Sequence, residues 1–284
     1  MATRIDSVPG DTRWDSIAAF LGFWLEHNPL TGPERAVFDE YYTNYRRQFS
    51  PYIRHHFAGQ SREIVAAIRA QRNPHLLEVG AGCGTESLWF ALQGADVTAI
   101  DIAADRLDVA RARLAWLNRE LSLELPVHFL ETSLFDFRAD QVFDLIWLEQ
   151  TFHHLEPRER VCAKLASLIA PGGMLVISET NAWNPSIQLQ LFMRRGFKTR
   201  ISFIDRRGNR VEYGNERVTT PGALRRRLDE AQLRVVNTRR FRMLPNSDPP
   251  DWWLGVENML VDALPFLATH FNVLAVKELG TEDS

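Results

Sequence analysis

Two cysteines, Cys83 and Cys162, are all that the 284 residues contain. They are too few for a cysteine-ligated zinc site and too isolated for a disulfide framework, so they predict a reduced compartment. No stretch approaches eighteen consecutive apolar residues, and nothing reads as a membrane span. The opening residues, MATRIDSVPGDTRW, lack the apolar core of a signal peptide, which predicts a cytoplasmic protein. Lysine is nearly missing: only Lys164, Lys198 and Lys277 stand among the 33 cationic residues. No internal repeat or low-complexity linker is visible.

What is present supports a core. Apolar residues make up 45% of the chain, and 284 residues suffice for one large α/β domain with insertions, or at most two domains. The net charge of −3 is unevenly spread. Residues 194–242 hold fourteen Arg and one Lys against five acids, a balance of +10, which leaves −13 for the remainder. That asymmetry points any acidic ligand to the second half. The preference for Arg over Lys is chain-wide, so part of this signal is composition bias.

The chain is organised around LLEVGAGCGTESLWFALQGADVTAID, residues 76–101. Leu76, Leu77 and Val79 read as a buried strand. Gly80, Gly82 and Gly84 follow, in a loop that must turn tightly and admit a ligand near its backbone. Residues 87–92 suit a helix stopped by Gly94, and residues 95–100 read as a second strand ending at Asp101. An acid at that place in an open α/β sheet binds ribose hydroxyls. The dinucleotide fingerprint needs a small residue where Thr85 stands, and no Gly-Lys-Ser/Thr follows for a phosphate loop. The pattern is E-x-G-x-G-x-G, with Glu78 two residues ahead of Gly80.

Glu78 to Gly84 with Asp101 resemble motif I of the class I S-adenosylmethionine (SAM) methyltransferases, in the small-molecule type similar to the ubiquinone and menaquinone methyltransferases. The resemblance runs from Leu76 to about Glu179. Phe143-Asp144-Leu145-Ile146 resembles the family's fourth strand, and Pro171-Gly172-Gly173 before Met174 its turn into the fifth. It implies a Rossmann-like, seven-stranded, mostly parallel α/β sheet with a reversed last strand, here residues 271–277 after a strand at 233–241. It also implies SAM as cofactor and S-adenosylhomocysteine (SAH) as product. Glu78, Gly80, Ala81, Gly82, Gly84 and Asp101 would hold SAM, and Ile102 would pack on the adenine. Where the family often has an Asp beyond the third strand (127–130), this chain has Glu131-Thr132-Ser133-Leu134 with Asp136 further on. The Ser133 hydroxyl, the backbone N–H of Leu134 and the displaced Asp136 are therefore the candidates for the adenine amine.

Ahead of the motif, helical patterns cover residues 14–27, 34–49 and 61–72, with Asp11 or Thr12 able to cap the first and residues 1–12 loose. We read residues 1–72 as a helical N-terminal lid and 73–284 as the SAM domain, with inserted cap elements at 181–218 and 243–270 for substrate. Tyr41, Tyr45, Trp183, Asn184, Arg194 and Tyr213 are the candidate acceptor contacts, since aromatic walls with a few amides suit a small organic molecule. An aromatic stripe that packs as core, and arginines that are simply solvated, are the competing readings.

Methyl transfer from a sulfonium is an in-line displacement that needs alignment, and a base only when the acceptor must lose a proton. The groups after strand four are Glu149, His153 and His154. Histidine, with a pKa near 6.5, suits deprotonation of a hydroxyl or acidic carbon. Glu149 is also a candidate for the SAM amino group or for assisting His153. Glu149, Glu179 and Asn181 match a catechol-type metal set poorly, so no metal is expected. The expected enzyme methylates an O or C nucleophile of a small, acidic or lipid-like metabolite. The alternatives are a SAM-fold enzyme that performs cyclisation or decarboxylation, a cofactor-binding module without catalysis, and an RNA methyltransferase using 194–242. Nucleic acid ranks below a small molecule, and the oligomeric state is open, with a homodimer as candidate.

Overall fold

The computed structural model describes residues 13–204 and 210–278. The expected loose leader and its caps Asp11 and Thr12 lie outside them. Contacts divide the chain into two compact units, Met1–Asp136 and Phe137–Ser284.

In the first unit, α1 (Ile17–His27) starts at Ser16, whose hydroxyl accepts the Ala19 N–H at 3.1 Å. It buries Phe20, Leu21 and Trp24. The pattern over 34–49 is two helices, α2 (Gly32–Tyr41) and α3 (Thr43–Gln48), parted at Tyr42. Then come α4 (Pro51–Gln60) and α5 (Arg62–Arg69). Helix α4 escapes the sequence pattern, because its buried face includes His56 and Gln60 beside Tyr52, Ile53 and Phe57 and so lacks a purely apolar stripe. The sheet half follows as β1 (His75–Val79), α6 (Thr85–Leu92), β2 (Asp96–Asp101), α7 (Ala104–Leu121) and β3 (Val127–Glu131). All three strands are parallel, with Val79 beside Ile100 and Asp101 beside Glu131. Parallel order brings the carboxyl ends of β1 and β2 to one edge, where such sheets bind ligands.

The second unit begins with β4 (Phe143–Glu149), followed by a single 3-10 turn, Phe152–His154. Next come α8 (Arg158–Leu168), β5 (Ile169–Thr180), α9 (Pro185–Arg195), β6 (Arg200–Ile204) and β7 (Arg210–Gly214). The remaining elements are α10 (Pro221–Glu230), β8 (Leu233–Phe241), α11 (Trp252–Ala263) and β9 (His270–Lys277). The main sheet has seven strands, three contributed by the first unit in the order β3-β2-β1 and four by the second in the order β4-β5-β9-β8. It is mostly parallel, and β9 runs antiparallel to both β5 and β8, so the expected reversed last strand is present.

Pro171-Gly172-Gly173 does not separate α8 from β5 as an independent turn. It forms a bulge inside one long strand, where the register slips between Phe143 and Leu145 of β4. Gly173 is required there, because a Cβ would stand 3.0 Å or less from Ile169, the Ala170 carbonyl and the Asp144 carbonyl. Segment 181–218 contains α9 and an antiparallel hairpin of β6 and β7, and segment 243–270 contains α11. Among the described residues, no helix is long and apolar enough to cross a membrane.

Candidate active site

The glycine loop lies at the end of β1. Gly80 and Ala81 donate their N–H groups to the Ile100 carbonyl at 2.8 and 3.1 Å, which ties the loop to the end of β2. Asp101 is fixed from both sides: one carboxylate oxygen accepts the Gly82 N–H at 2.8 Å, the other the Ala103 N–H at 2.8 Å. Its remaining lone pairs are what a ribose diol would use. Gly84 caps α6 with φ +76°, and a Cβ there would approach Ala110 Cβ to 2.7 Å. The glycine is therefore demanded by conformation and by the packing of α7.

Glu78 is buried and accepts a hydrogen bond from the Ser87 hydroxyl. Ile102 is 48% exposed just past the acid, as a residue meant to lie on a ligand ring would be. Leu134 is buried, and Ser133 shares a 2.7 Å hydrogen bond with Asp136, so the two polar candidates for the adenine amine form one pair. Burial pushes the Cys83 thiol up to about 12, which makes it a space-filling residue of the loop and not a thiolate. Tyr41 lies so close against Gly82 that a Cβ there would collide with its hydroxyl. Tyr45 meets Phe49 and Phe57 edge-on, as a packing residue does.

The second unit gathers the candidate base. His153 is 3% exposed, and its Nδ1 lies 2.8 Å from Oε2 of Glu179, itself fully buried. The other Glu179 oxygen accepts the His153 backbone N–H at 3.3 Å. A carboxylate on Nδ1–H fixes the tautomer and leaves the Nε2 lone pair to take a proton, with Oε2 of Glu216 3.8 Å from it. Burial alone would lower the pKa of this imidazole. The charge and hydrogen bond of Glu179, helped by Glu216 and Glu149, outweigh it and hold the pKa above 6.5.

The carboxylate that serves His153 is thus Glu179, at the end of β5, and not Glu149. Neighbouring strands place it there, and 26 residues of intervening chain conceal the pairing in the sequence.

His154 has the other fate. Its Nδ1–H donates to the Gly214 carbonyl at 2.9 Å and its ring stacks on Tyr213 at 4.6 Å. Burial, with the charge of His153, lowers its pKa, so it stays neutral. Gly214 itself lies so closely against the 3-10 turn that a Cβ would run into the His153 carbonyl oxygen. His153, His154 and Glu216 also bring one ligand atom each within 4.8 Å of one another, a donor set a cation could use and one the sequence did not suggest.

The acceptor candidates divide. Trp183 and Arg194 are exposed at the start and end of α9, and Tyr213 is half-buried on His154. Asn184 is engaged structurally. Its side-chain oxygen caps α9 by accepting from the Ser186 and Ile187 N–H groups, and its amide nitrogen donates to the Leu267 carbonyl at 2.7 Å. Asn181 is likewise engaged, with the Pro265 and Ala268 carbonyls. Part of the arginine-rich stretch is internal too: the buried Glu156 carboxylate takes Arg217 at 2.6 Å and Arg200 at 3.7 Å, with Arg158 at 4.0 Å.

With this geometry, a methyltransferase-domain family model matches residues 77–177. The chain is 34% identical over 106 residues to the methyltransferase GfsG of Streptomyces halstedii, covering 37% of each protein. It is 33% identical over 121 residues to the ubiquinone biosynthesis O-methyltransferase of Xanthomonas campestris, covering 42% of this chain and 48% of that one. The chain spans a quarter to about half the length of the curated relatives it matches. Magnesium protoporphyrin IX methyltransferase from Synechocystis, solved with bound SAH, shares the fold at a TM-score of 0.54 and 13% identity, over 92% of this chain and 100% of that one. Residues 77–177 thus match a methyltransferase domain, and over that stretch the chain is similar to class I SAM-dependent methyltransferases.

Proposed function

We propose that the chain binds SAM at the Glu78–Gly84 loop and Asp101, and transfers its methyl group to an oxygen or acidic carbon of a small metabolite. His153 is the general base. The observation that carries the base assignment is the buried Glu179–His153 pair at 2.8 Å. The Xanthomonas relative is an O-methyltransferase by name, which favours oxygen. In the reaction Nε2 of His153 takes the acceptor proton and the acceptor lone pair attacks the methyl carbon in line. The carbon–sulfur bond then breaks, and its electrons return to sulfur to give SAH. The engagement of Arg200 and Arg217 with Glu156 supports a small acceptor over a nucleic acid.

The test measures SAH binding by calorimetry, then SAH formation from SAM with a fractionated metabolite extract in EDTA-treated protein. Absence of SAH binding overturns the cofactor assignment. Turnover that requires an added divalent cation replaces the base with the His153, His154 and Glu216 donor set.

A pH profile adds a sharper reading. Because the base must be unprotonated, kcat/KM is expected to rise with pH through a value above 6.5. Glu179→Gln removes the charge that favours imidazolium, so its acid limb is expected to move to lower pH. A limb that stays in place in the variant removes His153 from the reaction.

A further inference from the structure

Helix α7 carries a cation where its apolar stripe should continue. Arg113 follows Val109 and Ala110 and precedes Leu117 on the buried face, and it is 0% exposed. Among the described residues no carboxylate lies within ion-pair distance of it, though the Glu86 carboxylate, next to Thr85, acts on it electrostatically. Its guanidinium instead lies over the rings of Trp24 at 4.5 Å, Phe38 at 5.4 Å and Phe20 at 5.7 Å, all from the N-terminal helices α1 and α2. Nε and Nη2 have no hydrogen-bond partner among the described residues. Nη1 has two, and both belong to the cofactor loop: the Cys83 carbonyl at 2.6 Å and the Thr85 hydroxyl at 2.9 Å. Thr85 in turn shares a 2.6 Å hydrogen bond with the buried Tyr42 hydroxyl at the end of α2.

A buried charge without a direct ion pair is a costly device, and apolar groups of similar volume would fill the same space at no loss. What the apolar group could not do is hold the loop. The Cys83–Gly84 peptide lies between two left-handed glycines, Gly82 at φ +50° and Gly84 at φ +76°, so its plane has little steric restraint of its own. Arg113 fixes that plane from the carbonyl side, and the Gly84 N–H closes on the Ala81 carbonyl at 2.8 Å.

We propose that Arg113 is a positioning residue for the cofactor: through the Cys83 carbonyl and the Thr85 hydroxyl it locks the glycine loop in its SAM-binding shape, and it makes that shape depend on the aromatic N-terminal helices. Arg113 touches no reacting atom. Tyr42 completes the lock from α2, on the same helix that sets Tyr41 against Gly82. Thr85 is thus the hub where α2, α6 and α7 meet.

The inference rests on the reading that this loop holds SAM, and SAH binding by the wild-type chain checks that reading by itself. The test is calorimetry with SAH on Arg113→Met, Arg113→Lys and Thr85→Val, with thermal unfolding of each. Arg113→Met is expected to keep or raise Tm, since the aromatic layer remains filled, while SAH Kd rises tenfold or more. Thr85→Val, which leaves the guanidinium in place, is expected to raise Kd several-fold. Arg113→Lys retains the charge but offers a point donor without the planar fork, and should recover only part of the affinity. A filler of the core would give the opposite split, with lower Tm and unchanged Kd. Folded Arg113→Lys and Thr85→Val proteins that bind SAH as wild type does would overturn the inference, even if Arg113→Met fails to fold.

Discussion

The His153→Ala protein is expected to turn over about 10²–10⁴-fold more slowly than wild type, the range of a positioned base, with SAH affinity unchanged. The expectation follows from how completely His153 is committed. Its Nδ1 and its backbone N–H both go to Glu179, and its side chain is buried, so the ring has one orientation, with Nε2 facing Glu216 at 3.8 Å. His154→Ala is expected to do far less to kcat, because that ring already has its Nδ1 on Gly214 and its face on Tyr213. Measuring kcat and SAH Kd for both variants separates the roles. A His153→Ala enzyme within about tenfold of wild-type kcat would show that alignment alone carries the reaction.

Gly84→Ala is expected to destabilise the chain by about 2–5 kcal/mol and to abolish measurable SAM binding. A left-handed conformation costs a non-glycine residue about 1–2 kcal/mol, and overpacking adds about 1–3 kcal/mol. Here the new methyl would stand 2.7 Å from Ala110 Cβ and 3.2 Å from the Phe129 ring. Neither neighbour can swing aside, since Ala110 is on α7 and Phe129 on β3. Gly59, near the end of α4 with nothing within 4 Å of an added methyl, is the control. Gly59→Ala should be neutral to slightly stabilising, because alanine is the better helix former. Urea unfolding of the two variants checks the contrast, and equal midpoints would refute the packing argument.

What could be read from the sequence was local. The β1–loop–α6–β2 stretch keeps strand, turn, helix and terminal acid within 26 residues, and each signals itself by spacing. Glu179 was visible only as a weak metal candidate, because its tie to His153 exists only once β4 and β5 are neighbours. Arg113 was invisible for a different reason. In the sequence it is one arginine among many on a charged helix, and its burial is decided by aromatic residues some ninety positions earlier. The hairpin of β6 and β7 was hidden by charge, since its strands carry Arg200, Arg210 and Glu212 between apolar residues. The Asn184 assignment to the acceptor failed to foresee that an Asn before Pro-Ser at a helix start is also a cap.

Gly214 carries a further implication. The hairpin strand touches the His153 turn backbone to backbone at a position where no side chain is admitted. Before that point the hairpin is tied to the same turn region through Tyr213 on His154 and Arg200 on Glu156. An engineer seeking a new acceptor could vary Ile201, Ser202 and Glu212 by library selection and leave the proposed base in register, provided that Arg200 stays on Glu156, Tyr213 stays on His154 and position 214 stays glycine. On the proposed reading, position 214 would separate proton transfer from the choice of acceptor.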